Sequence, residues 1–185
     1  MQVASIVKLG TPSLRERSIE VAIDHFLSDD LKALIAQMQD AMKVYGGIGI
    51  AAPQIGVNKR VIVFGFDVSQ RYPNEKPIPL TVLINPVVTP IGEDKVSYWE
   101  GCLSVPGLRG KVSRYHYVQY VGFDETGKRI ERTADGLHAR ILQHEVDHLD
   151  GILFIDKLEN THDFGFEDAL GDRLHVKQNS QPITA

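Results

Sequence analysis

The stretch QHEVDHLDG, residues 143–151, places His144 and His148 four positions apart, with Glu145 directly after the first histidine. An α-helix has about 3.6 residues per turn, so side chains four positions apart lie on the same helix face. The spacing therefore predicts a helix that presents two imidazole groups to a single metal ion. Catalytic metal sites usually take three protein ligands and keep one position for water, so a further ligand is expected elsewhere.

Cys102 is the best candidate for the third ligand. It lies in EGCLSVPG, residues 100–107, where a strand-like run meets Gly and Pro, and such a bend can direct a thiolate towards a neighbouring helix. A single cysteine is more often a small buried hydrophobic residue. His138 precedes His144 by six positions, which puts it off the metal-binding face. We therefore expect Cys102, His144 and His148 to bind one metal ion.

A similar helix motif occurs in zinc peptidases, which provides an alternative interpretation. In one extended pattern a third histidine would stand at Phe154, whose side chain cannot bind a metal ion. Other zincins use a later glutamate, for which Glu159 and Glu167 are available. A zincin-like metallopeptidase, in which Cys102 would be dispensable, is therefore the alternative hypothesis. A third hypothesis is a peptide-binding module with a structural metal ion and no need for Glu145.

Length and composition predict one globular unit. The chain has 185 residues, with 43% hydrophobic and 24% charged residues, which suits a single domain over 1–185 with a mobile tail at about 172–185. The net charge of −4 gives no basic excess, so direct nucleic-acid binding is not predicted. No apolar run is long enough to cross a membrane, and a single cysteine suits a reducing compartment. We expect a bacterial cytoplasmic protein, or an organellar one whose transit peptide has been removed.

The pattern of hydrophobic residues predicts the α+β class, with mostly antiparallel sheets packed around a central metal-binding helix. Helices are expected over 28–46, capped by Ser28, and from about Asp135 to about Leu149. Strand-like runs occupy 60–66, 81–91, 95–99, 114–124 and 128–134. Glu125, Thr126 and Gly127 indicate a hairpin turn between the last two runs.

Three blocks in this order resemble the peptide deformylases, which remove the formyl group from the initiator methionine of new polypeptides. They are GIGIAAPQ at 47–54, EGCLS at 100–104 and QHEVDH at 143–148. The resemblance extends from the early helix to about Leu158. It implies that Cys102, His144 and His148 bind one divalent metal ion, with Fe²⁺ as the native ion and Zn²⁺, Ni²⁺ or Co²⁺ as other occupants.

The resemblance also implies catalytic roles. Glu145 would be the general acid and base, which suits a carboxylate that adjoins a ligand without being one. The Gln54 side chain and the Leu103 backbone N–H would stabilise the developing oxyanion, and Gly49 would line the site. The expected substrates are N-formyl-methionyl peptides and nascent chains at the ribosome, with no membrane partner.

Further residues follow from the same resemblance. The residues expected around the methionine pocket, besides the ligand His144, are Ile48, Tyr98, Leu137 and Ile141. The substrate backbone is expected to add as a strand between Ile48 and Gly101, with Arg109 near its path. Glu100, Arg114 and Asp147 are expected behind the ligands, with Arg114 paired to one of the two carboxylates.

Two departures from the usual family pattern concern the pocket and the C-terminus. Arg140 replaces an apolar residue at the pocket wall, and the sequence after Leu158 differs from the long charged helix of many bacterial members. This combination is more similar to the mitochondrial-like branch, which also has bacterial members. Ile50 replaces the usual leucine of the first block, which is a nearly volume-conserving change.

Overall fold

The first long helix, α1, covers Asp29–Val44 in the computed structural model, which describes residues 3–68 and 75–174. Ser28 caps it by accepting a hydrogen bond from Leu31 N at 3.2 Å, as the sequence predicted. Its buried face packs against the next three strands of the chain, because apolar residues recur at helical spacing. The buried residues of this face are Leu31, Ile35, Met38, Ala41 and Met42.

Within the described residues, eight strands form two antiparallel sheets. The strands are β1 Gly49–Ala51, β2 Val61–Phe66, β3 Ile78–Pro90, β4 Lys95–Cys102, β5 Val105–Tyr115, β6 Tyr117–Phe123, β7 Arg129–Asp135 and β8 Phe164–Phe166. The larger sheet has the order β1-β2-β3-β6-β7 and the smaller one has the order β4-β5-β8. Strands β1 and β4 are therefore both edge strands, each with one hydrogen-bonded neighbour.

The strand prediction was wrong around β5, and it also missed the short strands β1 and β8. The run 114–124 was taken as one strand, but Arg114 and Tyr115 end β5, and β6 begins after His116. Strand β5 itself was not predicted, because Pro106 and Gly107 indicated a turn. The hairpin between β6 and β7 is confirmed: the turn contains Gly127 at φ 82°, in the left-handed region that glycine tolerates.

The second long helix, α2, covers Gly136–Leu149 and packs against strands of both sheets. Leu142 and Leu149 are fully buried in the main hydrophobic core, which also includes side chains of β2, β3 and β6. Gly151, at φ 72°, follows the end of the helix, as expected for a helix stop. The α+β class, with antiparallel sheets around a central helix, is confirmed.

The C-terminal segment differs from the expected mobile tail at its beginning. A short helix, α3 Glu167–Leu170, leads into a 3₁₀ helix over Gly171–Leu174. The Arg173 guanidinium pairs with Asp163 and lies 5.6 Å from the centroid of the Trp99 ring. Residues 172–174 thus belong to the folded structure, and 175–185 lie outside the described residues. None of the described helices has the length and apolar character that a membrane crossing requires.

Candidate metal centre and active site

Cys102, at the end of β4, meets His144 and His148 of α2. One ligand atom from each side chain lies within 4.8 Å of the other two, and Cys102 Sγ is 3.2 Å from His148 Nε2. Across residues 3–68 and 75–174 this is the one group of three or more potential metal ligands. One thiolate and two imidazole nitrogens are a donor set that divalent transition metals accept readily. The residues present therefore fit the expected metal ion.

The other candidate ligands are engaged elsewhere. Glu159 accepts a hydrogen bond from Ser97 Oγ, and Glu167 pairs with an arginine on β5. The His138 ring lies 5.5 Å from the ring centroids of both Phe64 and Tyr120. The arrangement that a zincin-like site would need is therefore not formed.

The electrostatic environment of Cys102 favours the thiolate. Burial alone would raise the pKa of this thiol, but interactions with His148 and His144 outweigh it and hold the pKa well below its ordinary value. The thiolate is the form that binds metal ions. The two imidazole groups beside the sulfur atom therefore stabilise the thiolate form of Cys102.

A chain of charged side chains orients the ligand His144 from behind. His144 Nδ1 donates to Glu100 Oε2 at 2.9 Å, which leaves Nε2 for a metal ion. Arg114 donates to both oxygens of Glu100, at 2.9 Å each, and its other terminal nitrogen contacts Asp147. Asp147 also accepts from Lys157 Nζ at 2.7 Å. Arg114 therefore pairs with both carboxylates, where the sequence analysis expected one.

This network keeps Glu100 ionised. Burial alone would raise the pKa of Glu100, but hydrogen bonds from Arg114 and His144 hold it well below its usual range. An ionised carboxylate behind the imidazole fixes the tautomer of His144 and increases its basicity as a ligand. Arg114 itself is only 3% exposed, so its charge is compensated by the two carboxylates rather than by water.

Glu145 lies on the cavity side of α2 with its carboxylate against Gly49. A side chain at Gly49 would overlap Glu145 Oε1, so glycine is required there for this placement. Glu145 is 5% exposed, and Oε2 is buried with no hydrogen-bond partner among the described residues. Burial raises the pKa of Glu145 to about 7, although His144 and His148 oppose the shift. A carboxylate with such a pKa can both accept and return a proton near neutral pH.

A hydrogen bond from a nearby backbone N–H holds the Gln54 side chain in one orientation. Its Oε1 accepts from Ala51 N at 2.9 Å, so the Nε2 group must point the other way. Nε2 lies 3.4 Å from Cys102 Sγ and 3.3 Å from Ser104 Oγ. Because the side chain is only 2% exposed, the NH₂ donor faces the metal centre with little freedom to rotate.

These groups surround a cavity of about 300 Å³, which is at the small end of the range for ligand sites. Most of the predicted site residues lie in its wall. They are Ile48, Gly49, Gln54, Glu100, Gly101, Cys102, Leu103, Arg109, Leu137, Ile141, His144 and Glu145. Edge strands β1 and β4 flank this cavity, so an extended peptide could add to either edge.

Tyr98 is placed differently from the expectation. Arg140, which is 8% exposed, lines the cavity, and its guanidinium carbon lies 4.4 Å from the centroid of the Tyr98 ring. Tyr98 is not among the described residues that line the cavity. The tyrosine therefore supports an arginine in the wall through a cation–π contact, which a sequence pattern does not reveal.

Glu167 was considered in the sequence only as a possible metal ligand, and the structure places it at the cavity wall with Tyr45, Pro106 and Gly107. Its position depends on the pairing of β8 with β5, which carries no local sequence signal.

Comparisons with known proteins agree with this geometry. The family model described as polypeptide deformylase matches residues 3–163. The chain is 47% identical over 165 residues to peptide deformylase 1 of Nitrosomonas europaea, covering 89% of this chain and 93% of that protein. It is 48% identical over 167 residues to peptide deformylase 1 of Prochlorococcus marinus, covering 90% and 86% respectively.

Solved structures give the same result. A class I type b peptide deformylase from Acinetobacter baumannii with bound Met-Ala-Ser superposes with a TM-score of 0.82 at 36% identity, covering 85% of this chain and 99% of that one. An inhibitor complex of Plasmodium falciparum peptide deformylase superposes with a TM-score of 0.73 at 36% identity, covering 92% and 97%. Sequence, fold and metal-binding side chains thus agree, and the chain belongs to the polypeptide deformylase family.

Proposed function

We propose that the cavity at Cys102, His144 and His148 is where this metal-dependent deformylase removes the formyl group from N-formyl-methionyl peptides and releases formate. One observation carries the assignment. Glu145 adjoins the ligand His144, its carboxylate is buried at the cavity wall, and Oε2 has no partner among the described residues. Such a group is placed to exchange a proton with a reacting molecule.

When bound, a divalent ion supplies Lewis-acid chemistry, lowering the pKa of water and polarising the formyl carbonyl. Glu145 takes one proton from the attacking water molecule. The Nε2 group of Gln54 and the backbone N–H of Leu103 donate hydrogen bonds to the negative charge that develops on the formyl oxygen. Glu145 then returns the proton to the departing amine as the carbon–nitrogen bond breaks, which gives formate and a free N-terminus.

The apolar part of the cavity suits the methionine side chain. Ile48, Leu137 and Ile141 line the cavity and provide an apolar surface for this side chain. The peptide backbone adds as a strand between Ile48, which directly precedes β1, and Gly101 of β4. This mode of binding reads main-chain groups and accepts many following residues. The Acinetobacter baumannii relative, which binds Met-Ala-Ser, supports a methionine-first peptide as the ligand.

Further inferences concern the domain organisation, the natural substrates and the cellular location of the enzyme. We infer one catalytic domain, because β4, α2 and the turn after β1 all contribute side chains to the cavity. Its physiological substrates are nascent chains that emerge from the ribosome, and it acts in the bacterial cytoplasm, since many similar chains are bacterial. These inferences are tested by co-sedimentation of the protein with translating ribosomes and by cell fractionation.

We propose Fe²⁺ as the native ion, with Zn²⁺, Ni²⁺ or Co²⁺ as substitutes. A thiolate ligand beside ferrous iron makes the site sensitive to oxidation. Protein purified without oxygen is expected to contain iron and to lose activity in air, whereas protein reloaded with Ni²⁺ is expected to keep it. Equal stability of the iron and nickel forms in air would contradict the assignment.

The direct test of the function is formate release from formyl-Met-Ala-Ser by protein purified without oxygen, together with metal analysis. We expect rapid release by protein that carries one metal ion per chain. Unblocked and acetylated peptides of the same sequence serve as controls and should not be cleaved. A folded, metallated protein that releases no formate but cleaves the unblocked peptide would support a peptidase instead.

Gln54→Ala is expected to lower kcat by a factor on the order of a hundred, with little change in KM. The amide donor acts on charge that develops only in the transition state, so its loss should not weaken ground-state binding much. Steady-state formate release measures both constants. Gln119→Ala is the matched control, because Gln119 pairs with Glu131 at the surface. An unchanged kcat in Gln54→Ala would remove Gln54 from the mechanism.

A further inference from the structure

Arg109 and Glu167 form a charged pair at the mouth of the cavity. Arg109, on β5, donates from Nη2 to Glu167 Oε2 at 2.9 Å, and both residues line the cavity wall. The Arg109 side chain is 12% exposed, while that of Glu167 is 46% exposed. The guanidinium group of Arg109 is thus largely buried, whereas the carboxylate of Glu167 faces the solvent from which a substrate enters.

Local structure fixes this pair across three strands. Arg109 stands opposite Gly165 of β8, which places the first residue of α3 beside it. The guanidinium crosses over Gly101 of β4, where any side chain would overlap it. Because Gly101 flanks the proposed substrate strand, the pair lies beside the residues that follow methionine in a bound peptide.

The charges have a predictable effect on these following residues. An isolated arginine at this position would attract acidic side chains and repel basic ones. Glu167 compensates that charge through a direct ion pair, so the mouth of the cavity carries no net charge from the two residues. A deformylase acts on nascent chains of many sequences, and a neutral mouth suits this task.

We propose that Glu167 is a specificity-determining residue that neutralises Arg109 and so makes the enzyme tolerant of charge in the residues after methionine. This inference rests on the proposed function of the site. Helix α3 therefore contributes to substrate selection, although it provides no group that acts on the formyl bond.

The test compares three formylated tripeptides with amidated C-termini: formyl-Met-Ala-Glu, formyl-Met-Ala-Lys and formyl-Met-Ala-Ser. The wild-type enzyme should give kcat/KM values for the acidic and basic peptides that agree within about twofold. In Glu167→Gln we expect KM to fall about fivefold for the acidic peptide and to rise about fivefold for the basic peptide, since an exposed charge pair has effects of this order. The neutral peptide should change little, and the split should shrink in high salt.

The matched control is Asp168→Asn, which removes the same charge from the next residue. Asp168 is exposed and accepts from Ala169 N, with no contact to Arg109, so this variant should treat the three peptides as the wild type does. The double variant Arg109→Met/Glu167→Gln should regain equal KM values for the acidic and basic peptides, whatever its overall rate.

Two results would overturn the inference. One is that all three KM values stay as in the wild type in Glu167→Gln, and the other is an equal rise of KM for all three peptides, which would mean that Glu167 only supports the fold. A failure of the proposed function looks different, because wild-type protein would then release no formate from any of the three peptides.

Discussion

Glu145→Gln is expected to lower kcat/KM for formyl-Met-Ala-Ser by a factor of about 10² to 10⁴, while the protein keeps its fold and one metal ion per chain. Glutamine preserves the shape of a side chain that is buried against Gly49, but it cannot accept a proton. The loss corresponds to about 3 to 5 kcal/mol of transition-state stabilisation. Formate release, metal analysis and circular dichroism on the same preparation measure the three properties.

The pH profile provides a second readout for this variant. Burial raises the pKa of Glu145 to about 7, and a cation held by the neighbouring ligands would lower it again. In the proposed role the ionised carboxylate accepts a proton from water, so wild-type kcat/KM should rise with pH through the pKa that Glu145 has beside the bound cation, and that rise should be absent in Glu145→Gln. Glu159→Gln is the control, because Glu159 is one of the two glutamates that a zincin-like site could use as third ligand, and the proposed mechanism does not use it. A metallated Glu145→Gln protein with wild-type turnover would refute the assigned role.

Arg114→Met is expected to lower the free energy of unfolding by about 3 to 5 kcal/mol. The substitution removes the cation that compensates two buried carboxylates, Glu100 and Asp147, which then retain His144 and Lys157 as their respective partners. Urea unfolding of the metal-free protein, at pH 7 and in the presence of a chelator, measures the loss. Metal affinity should also fall by about 10- to 100-fold, because Glu100 orients His144.

The pH dependence of this loss distinguishes an electrostatic effect from a packing defect. Wild-type Glu100 has a pKa below its ordinary value of 4.5, so its stabilising contribution is present above that value and is lost as pH falls through the folded-state pKa. Without Arg114, Glu100 would accept a proton more readily, and the stability difference between the two proteins should narrow below about pH 5.

Arg129→Met is the matched control for the same charge change. Arg129 pairs with Glu131 where both side chains are largely exposed, at 59% and 43%. Such a pair contributes about 0 to 1 kcal/mol, so this variant should unfold close to the wild type. A loss below about 1 kcal/mol in Arg114→Met, or a difference that does not vary with pH, would contradict the electrostatic account.

Helical periodicity is local, and this explains which parts of the site could be predicted. The spacing of His144 and His148 determines their common face on α2 whatever surrounds the helix. Cys102 followed from its bend and from the need for a third ligand, and it reaches the histidines because β4 ends beside α2. The roles assigned to Gln54 and Leu103 depended on the family resemblance, since neither residue type signals catalysis on its own.

Contacts between distant strands could not be predicted in the same way. Pro106 and Gly107 favour a turn, yet they lie in β5, which gains backbone partners on both sides from β4 and β8. The pairing of Arg109 with Glu167 joins residues 58 positions apart and follows from the addition of β8. Arg140 and Tyr98 were both expected in the wall of the cavity. Arg140 lines the cavity and Tyr98 packs against its guanidinium group, an arrangement set by side-chain packing.

The position of the metal ligands affects the stability of the protein in the cell and its resistance to degradation. Cys102 and His148 are 46 positions apart and belong to different elements, so an ion bound by both acts as a cross-link between β4 and α2. A ligand that binds only the folded state adds about 2.7 kcal/mol of stability when its free concentration is 100 times its Kd. When the metal ion is scarce, more chains therefore unfold and become accessible to proteases. The abundance of the enzyme, and with it the capacity to mature new proteins, would then follow the metal supply.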